Sequence, residues 1–91
     1  MTTTAILLTM DEKRLATALK EVGQKLDGAG GEAVLDFSSV RQVDTHAVLA
    51  LETLARIADE KAVKIVLRGV NVDVYKVLKL VKLTARFSFV N

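Results

Sequence analysis

Val34-Leu-Asp-Phe-Ser-Ser-Val-Arg-Gln-Val-Asp-Thr-His-Ala-Val48 is the stretch on which the fold turns. Its first part, taken with Ala33, is apolar on both alternating faces except at Asp36, the pattern of a central strand covered on both sides. Ser38 to Val43 then form a polar connection in which Val40 and Val43 turn inward as plugs. Asp44 closes the connection as a helix N-cap. Its carboxylate can accept from the free amides of the first turn, and its charge opposes the helix dipole. A buried strand, a short loop and a capped helix follow one another directly, and the other segments support that joint.

Downstream of Asp44, the residues Ala47, Ala50, Leu51, Leu54, Ile57 and Ala58 recur at helical spacing and define a core stripe, with Glu52 and Arg56 paired one turn apart outside it. Val48 and Leu49 fall beside the stripe. Two apolar side chains near an exposed helix start are candidates for a docking surface.

Toward the N-terminus, Ala5-Ile-Leu-Leu-Thr9 is a short apolar run bounded by polar residues and predicts a strand. Thr9-Met-Asp-Glu12 has capping-box spacing, so a helix is expected to begin there. Leu15, Ala18, Leu19, Val22 and Leu26 form its stripe. Gly28-Ala-Gly-Gly31 stops it, which places the first helix near residues 10 to 27. Toward the C-terminus, Val63-Lys-Ile-Val-Leu67 alternates and predicts a third strand leading into Arg68-Gly69. Asn71 caps a third helix whose stripe is Val74, Val77, Leu78 and Val81. Thr84 to Val90 predict a last short strand with Phe87 and Phe89 on one face.

The order β, α, β, α, β, α, β predicts an α/β fold: a small single domain spanning residues 1–91, with a mostly parallel four-stranded sheet, right-handed crossovers and three or more helices. Sites in such sheets lie beyond the carboxyl ends of the strands. Thr9 to Asp11, Ser38 to Thr45 and Arg68 to Asn71 are therefore expected to gather at one edge.

Composition narrows the function. A 91-residue chain that is 51 % hydrophobic holds one modest core. It has no cysteine and a single histidine, so disulfides, thiol chemistry and histidine-rich metal sites drop out, which fits a reducing cytoplasm. Met1 to Thr9 lack the features of a secretory signal, and no run approaches the length of a membrane span. A net charge of +2 with one tyrosine and three phenylalanines argues against a nucleic-acid surface. No phosphate-binding glycine loop, metal-spaced carboxylate pair or nucleophile elbow is present, so no cofactor and no metal are expected and an enzyme is disfavoured.

Three features remain as site candidates. Asp36, a carboxylate at the end of a buried strand, must find donors or reach water. Its ordinary role is to accept from loop amides; its functional alternative is part of an anionic site. Thr45 places a hydroxyl among the unpaired amides of a helix start, where an attached phosphate would be stabilised and would set a dianion beside Val48 and Leu49. His46 and Asp44, two apart at a helix start, point in different directions and are not expected to form an acid–base pair. The third feature is the row Lys76, Lys79, Lys82 with Arg86, which could bind phosphates, lipid head groups or an acidic protein, although a solvated helix face is the ordinary reading.

Taken together, Val-Leu-Asp-Phe-Ser-Ser-Val (34 to 40), Val-Asp-Thr-His-Ala-Val (43 to 48) and Val-Leu-Arg-Gly-Val (66 to 70) resemble the STAS domain of sulfate transporters and anti-sigma-factor antagonists. The resemblance covers about residues 5 to 90. It implies a non-enzymatic bacterial signalling module that regulates transcription by binding a protein partner, an anti-sigma factor or kinase-like ATPase. The face implied is Asp36, Ser38, Asp44, Thr45, His46, Val48 and Leu49. In that family the partner also phosphorylates the second hydroxyl residue of an Asp-Ser-Ser-Gly motif. Matched in order, Asp44 takes the aspartate, Thr45 the first serine, His46 the phosphoacceptor, Ala47 the glycine and Val48 the following leucine. Histidine cannot take phosphate from a serine kinase, so the switch is either lost or moved to Thr45.

Two branches of the family keep a threonine after the aspartate. One is the stressosome type. The other is the small cytoplasmic subunit of phospholipid-transporting ABC systems, whose tail resembles Gly69-Val-Asn71, Val74-Tyr75 and Lys79-Leu80, and which implies an ABC-transporter ATPase as partner instead. A reading of another class is a nucleotide or anionic-ligand binder that uses the lysine row and the strand-end edge. With only Ala5 to Thr9 ahead of the first helix, the extra first strand of many relatives is not expected here, and self-pairing of the open sheet edge as a homodimer is an expectation that follows.

Overall fold

The computed structural model describes residues 5–26 and 31–90. Residues 1–4, and the Gly28–Gly30 part of the expected helix stop, lie outside them. Four strands alternate with three helices: β1 (Ala5–Thr9), α1 (Leu15–Lys25), β2 (Glu32–Asp36), α2 (Thr45–Lys61), β3 (Lys64–Arg68), α3 (Val72–Leu80) and β4 (Ser88–Val90). The sheet order is β1-β2-β3-β4, and every neighbouring pair is parallel. This is the α/β architecture that the alternation of strand and helix patterns predicts.

Sequential parallel strands joined by crossovers of one hand carry all their helices on one face. Burial follows that rule. Ala33, Leu35, Ile65 and Leu67 share a single core with Leu19 and Val22 of α1, Leu51 and Leu54 of α2, and Val74 and Leu78 of α3. The opposite face repeats the register Leu7–Val34–Val66–Ser88, and among the described residues the core that gathers the helices leaves that row out. Leu7 there is 60 % exposed.

The expectation that β2 is covered on both sides is thus corrected. An apolar run in a strand says that both faces avoid charge; it does not say that both are covered. β3 also departs from simple alternation. Ile65, Val66 and Leu67 are all buried between exposed Lys64 and Arg68, and Val63 precedes the strand. The last strand is shorter than expected, because Thr84 to Phe87 form turns. Phe87 and Phe89 nevertheless pack on the same core.

The entry to α1 is the largest local difference. Thr9 stays in β1, and the cap is Asp11, whose side chain accepts from the Lys13 amide at 3.1 Å. One 3-10 turn, Glu12–Arg14, leads into α1. The Glu12 carboxylate does not turn back to close a capping box. It reaches across the sheet edge and accepts from the amides of Arg41 and Gln42. α2 ends at Ala62, whose left-handed backbone (φ 56°, ψ 39°) sends its amide to the Ala58 and Asp59 carbonyls. Glu52 and Arg56 do not pair; the ion pairs among the described residues are Lys64–Glu32 and Arg86–Asp59.

Candidate functional site

The three βα connections meet at the carboxyl edge of the sheet. The Met10 amide donates to the Asp36 carbonyl and the Phe37 amide to the Arg68 carbonyl, so each strand exit is tied to its neighbour. Asn71 joins the second and third connections. Its Oδ1 accepts from the Val74 amide at 2.8 Å as the cap of α3, while Nδ2 donates to the Val40 and Arg41 carbonyls at 3.4 and 3.3 Å. Glu12 holds the same loop from the other side. The 38–44 loop is therefore clamped by side chains from both neighbouring connections, and it delivers α2 at a fixed place.

At the start of α2, Asp44 Oδ1 accepts from the Ala47 amide at 2.9 Å, as an N-cap should. Thr45 and His46 follow, both exposed, while Ala47 turns into the core. Val48 is half-buried, and Leu49 is 55 % exposed. A large aliphatic side chain held this far out on a rigid helix gains nothing from the fold itself.

Two clefts flank this helix start. One, of about 520 Å³, is largely polar and lies between Glu12–Thr17 and Gln42–Ala47. The other, of about 550 Å³, runs between α1 and α2 over Leu19, Gly23, Ala50 and Leu54, with Leu49 on its rim. His46 lines both. Gly23 lines the apolar cleft. A β-carbon there would stand 3.1 Å from Ile57 Cδ1, so its absence lets the two helices approach closely.

Asp36 and Ser38 sit differently. Register and pleat put Asp36 with Thr9 and Arg68 on the uncovered face of the sheet, whereas α2 lies over the covered one. Asp36 Oδ1 accepts from both the amide and the hydroxyl of Ser38. Those two bonds, chiefly the hydroxyl's, hold its carboxyl below the usual aspartate range; Arg68 adds a smaller pull in the same direction, and partial burial opposes them. This is the ordinary loop-capping role, built around one strand exit. The structure brings Asp44, Thr45, His46, Val48 and Leu49 together on α2, and holds Asp36 and Ser38 at the same sheet edge but on its other side.

Three contributors escaped sequence reasoning. Spacing suggests a capping-box role for Glu12 and a cap for Asn71; in the fold both also clamp the loop. Gly23 interrupts a helical pattern, a signal that often marks close packing and that pointed to the cleft. Arg86, read with the lysine row, is instead held by Asp59 at 2.6 Å. Among the described residues no group of three or more acidic, histidine or cysteine side chains is arranged to hold a metal.

The model of the STAS domain matches residues 10–91. The chain belongs to the STAS family. The chain is similar in fold to TM1081 of Thermotoga maritima, whose crystal structure describes that protein provisionally as an anti-sigma factor antagonist. It superposes with a TM-score of 0.75 at 15 % identity, covering 96 % of this chain and 79 % of that one. A solution NMR structure of TM1081 gives 0.77 at 16 % identity, covering 96 % and 74 %. At such identities the likeness is one of fold alone. No curated protein sequence matches the chain.

Proposed function

We propose that this STAS domain is a non-enzymatic regulatory module that binds a protein partner through the start of α2, in the manner of an anti-sigma-factor antagonist. The observation that carries the reading is Leu49, exposed on a rigid helix beside the apolar cleft between α1 and α2. Thr45 and His46 stand one turn before it. Asp36 and Ser38 contribute by holding the strand exit behind the loop, and Val48 by seating the helix start.

Phosphorylation of Thr45 is the control this arrangement favours. Transfer of the γ-phosphoryl group of ATP to the Thr45 hydroxyl would place about −1.5 to −2 charges beside Asp44 and one turn from Leu49. A partner that buries Leu49 would then have to desolvate a dianion or supply a cation, and it would leave.

The test is affinity capture from the native host with the intact chain and with Leu49→Asp. The expected result is a kinase-like anti-sigma factor recovered by the first and lost by the second, with phosphate mapped to Thr45 after incubation with ATP. Recovery of an ABC-transporter ATPase and its permease, without a kinase-like protein, assigns the chain to the transporter branch instead. Label at a residue other than Thr45 removes the switch. A large thermal shift with millimolar nucleotide, and none with a protein partner, overturns the binding-module reading in favour of a ligand binder.

A further inference from the structure

The lysine row of α3 has no part in the function proposed above. Lys76, Lys79 and Lys82 enter neither of the ion pairs found among the described residues. Val74 and Leu78 turn one side of α3 fully into the core. With about 100° between successive residues, the outward side carries Val72, Lys76 and Lys79 along its middle, with Tyr75 and Leu80 on the two flanks. Leu80 is 81 % exposed, Val72 67 % and Tyr75 41 %. The Tyr75 ring is steadied edge-on against Phe89, centroids 5.2 Å apart. Asp73 is the one acidic residue of α3.

We propose that this face of α3 rests on an anionic lipid bilayer. The first reason is charge complementarity: three lysines without an ionic partner among the described residues lie on or next to a helix whose one carboxylate is Asp73. The second is the kind of cation. Lysine is depleted in the cores of protein interfaces, where arginine is favoured, whereas anionic head groups attract lysine as well as arginine. The third is shape. Among the described residues, Val72, Tyr75, Lys76, Lys79 and Leu80 line none of the clefts around α2. They form a ridge in which aliphatic tips alternate with ammonium groups. A protein partner needs a pocket for each such tip, whereas the soft interface of a bilayer accepts them in any order, with a tyrosine at head-group depth.

Three lysines and a nine-residue helix give weak, reversible attachment, with roughly a fivefold gain in affinity per lysine at low salt. Val72, Tyr75, Lys76, Lys79 and Leu80 share none of the described clefts with Thr45–Leu49, whereas Lys82 lines one cleft together with Leu49.

Flotation of the intact chain with phosphatidylcholine vesicles, with and without phosphatidylglycerol, tests the proposal. Expected is recovery with the anionic vesicles alone, falling as salt rises. The double variant Lys76→Glu/Lys79→Glu should lose at least about tenfold in partitioning, and Leu80→Ser should lose several-fold with no change of charge. All three positions are exposed, and far-UV circular dichroism verifies folding; Lys76→Gln/Lys79→Gln replaces the double variant if it unfolds. Absence of flotation with phosphatidylglycerol at low salt overturns the proposal. So does flotation that survives the charge reversal or is indifferent to Leu80→Ser. Retention on soluble polyglutamate without vesicle binding also overturns it and gives the face to an acidic protein.

Discussion

The Glu12 carboxylate accepts from the Gln42 amide at 3.1 Å across 30 positions of sequence, and from the Arg41 amide beside it. The first βα connection thereby holds the second, and the helix start that carries Thr45 and Leu49 inherits its position from a residue outside its own segment.

Removing that clamp should loosen the loop more than it harms the core. Glu12→Ala is expected to cost about 1 kcal/mol of stability, because the two amides can turn to water but lose a charged acceptor. Glu12→Gln should cost less than half as much, since its amide oxygen can still accept. Urea midpoints measure both, and a Glu12→Ala variant as stable as the parent would remove the clamp from the account. Hydrogen exchange at Arg41 and Gln42 should speed up in the alanine variant.

Two left-handed backbone positions should respond in opposite directions. Gly69 has φ +72°, and an added β-carbon would stand 2.5 Å from Ser38 Oγ and 3.3 Å from the Ser38 backbone. Gly69→Ala is therefore expected to destabilise by at least about 1–2 kcal/mol. Ala62 holds φ 56° at the end of α2, so Ala62→Gly should stabilise by about 0.5–1 kcal/mol, the relief of the left-handed strain less the backbone entropy of glycine. Thermal denaturation of the pair decides both.

Leu51 and Leu49, two positions apart, should separate folding from binding. Leu51 is fully buried, and Leu51→Ala is expected to cost about 2–5 kcal/mol, a large share of the roughly 5–15 kcal/mol that holds a small domain together. Leu49→Ala should change stability by no more than about 0.5 kcal/mol while weakening partner binding. Equal destabilisation by the two variants in a denaturant titration would contradict the exposed placement of Leu49.

The Asp36 carboxyl is held below its ordinary value by the Ser38 hydroxyl and amide, with a smaller part from Arg68. A pKa lower in the folded than in the unfolded chain means that the charged form favours folding. That contribution is complete above the unfolded-state aspartate pKa and disappears as pH falls through the folded one. Stability of the parent should therefore drop more steeply in this acid window than that of Asp36→Asn. Ser38→Ala should move the Asp36 titration, followed by NMR, upward. An Asp36 that titrates at or above the ordinary aspartate value would contradict the geometry.

The order of strands and helices was legible because each segment carries a local signal. Leu15, Leu19, Val22 and Leu26 repeat with helical period, as do Ala47, Leu51, Leu54 and Ala58, and Asp44 and Asn71 are caps of the expected kind. Asp36 was also readable, since a carboxylate at a strand end needs donors and Ser38 is two residues away. The Thr9 capping box failed because the same Glu12 had a better use across the sheet, where two loop amides lacked partners. Local spacing cannot register such a competitor. The Glu52–Arg56 pair failed for a related reason: two solvated charges one turn apart gain little from holding each other.

The sequence alone determined the α/β alternation, the capped start of α2, and the resemblance to the STAS family that the match over residues 10–91 bears out. These depend on neighbours within a few positions, where backbone geometry leaves little choice. Tertiary structure alone decided that all three helices share one face, that Glu12 and Asn71 clamp the loop, that Gly23 packs α1 closely on α2 beside the apolar cleft, and that Lys76, Lys79 and Lys82 have no ionic partner among the described residues. Each of these joins residues far apart in the chain, and packing and hydrogen-bond competition among such residues are settled only when the whole domain closes.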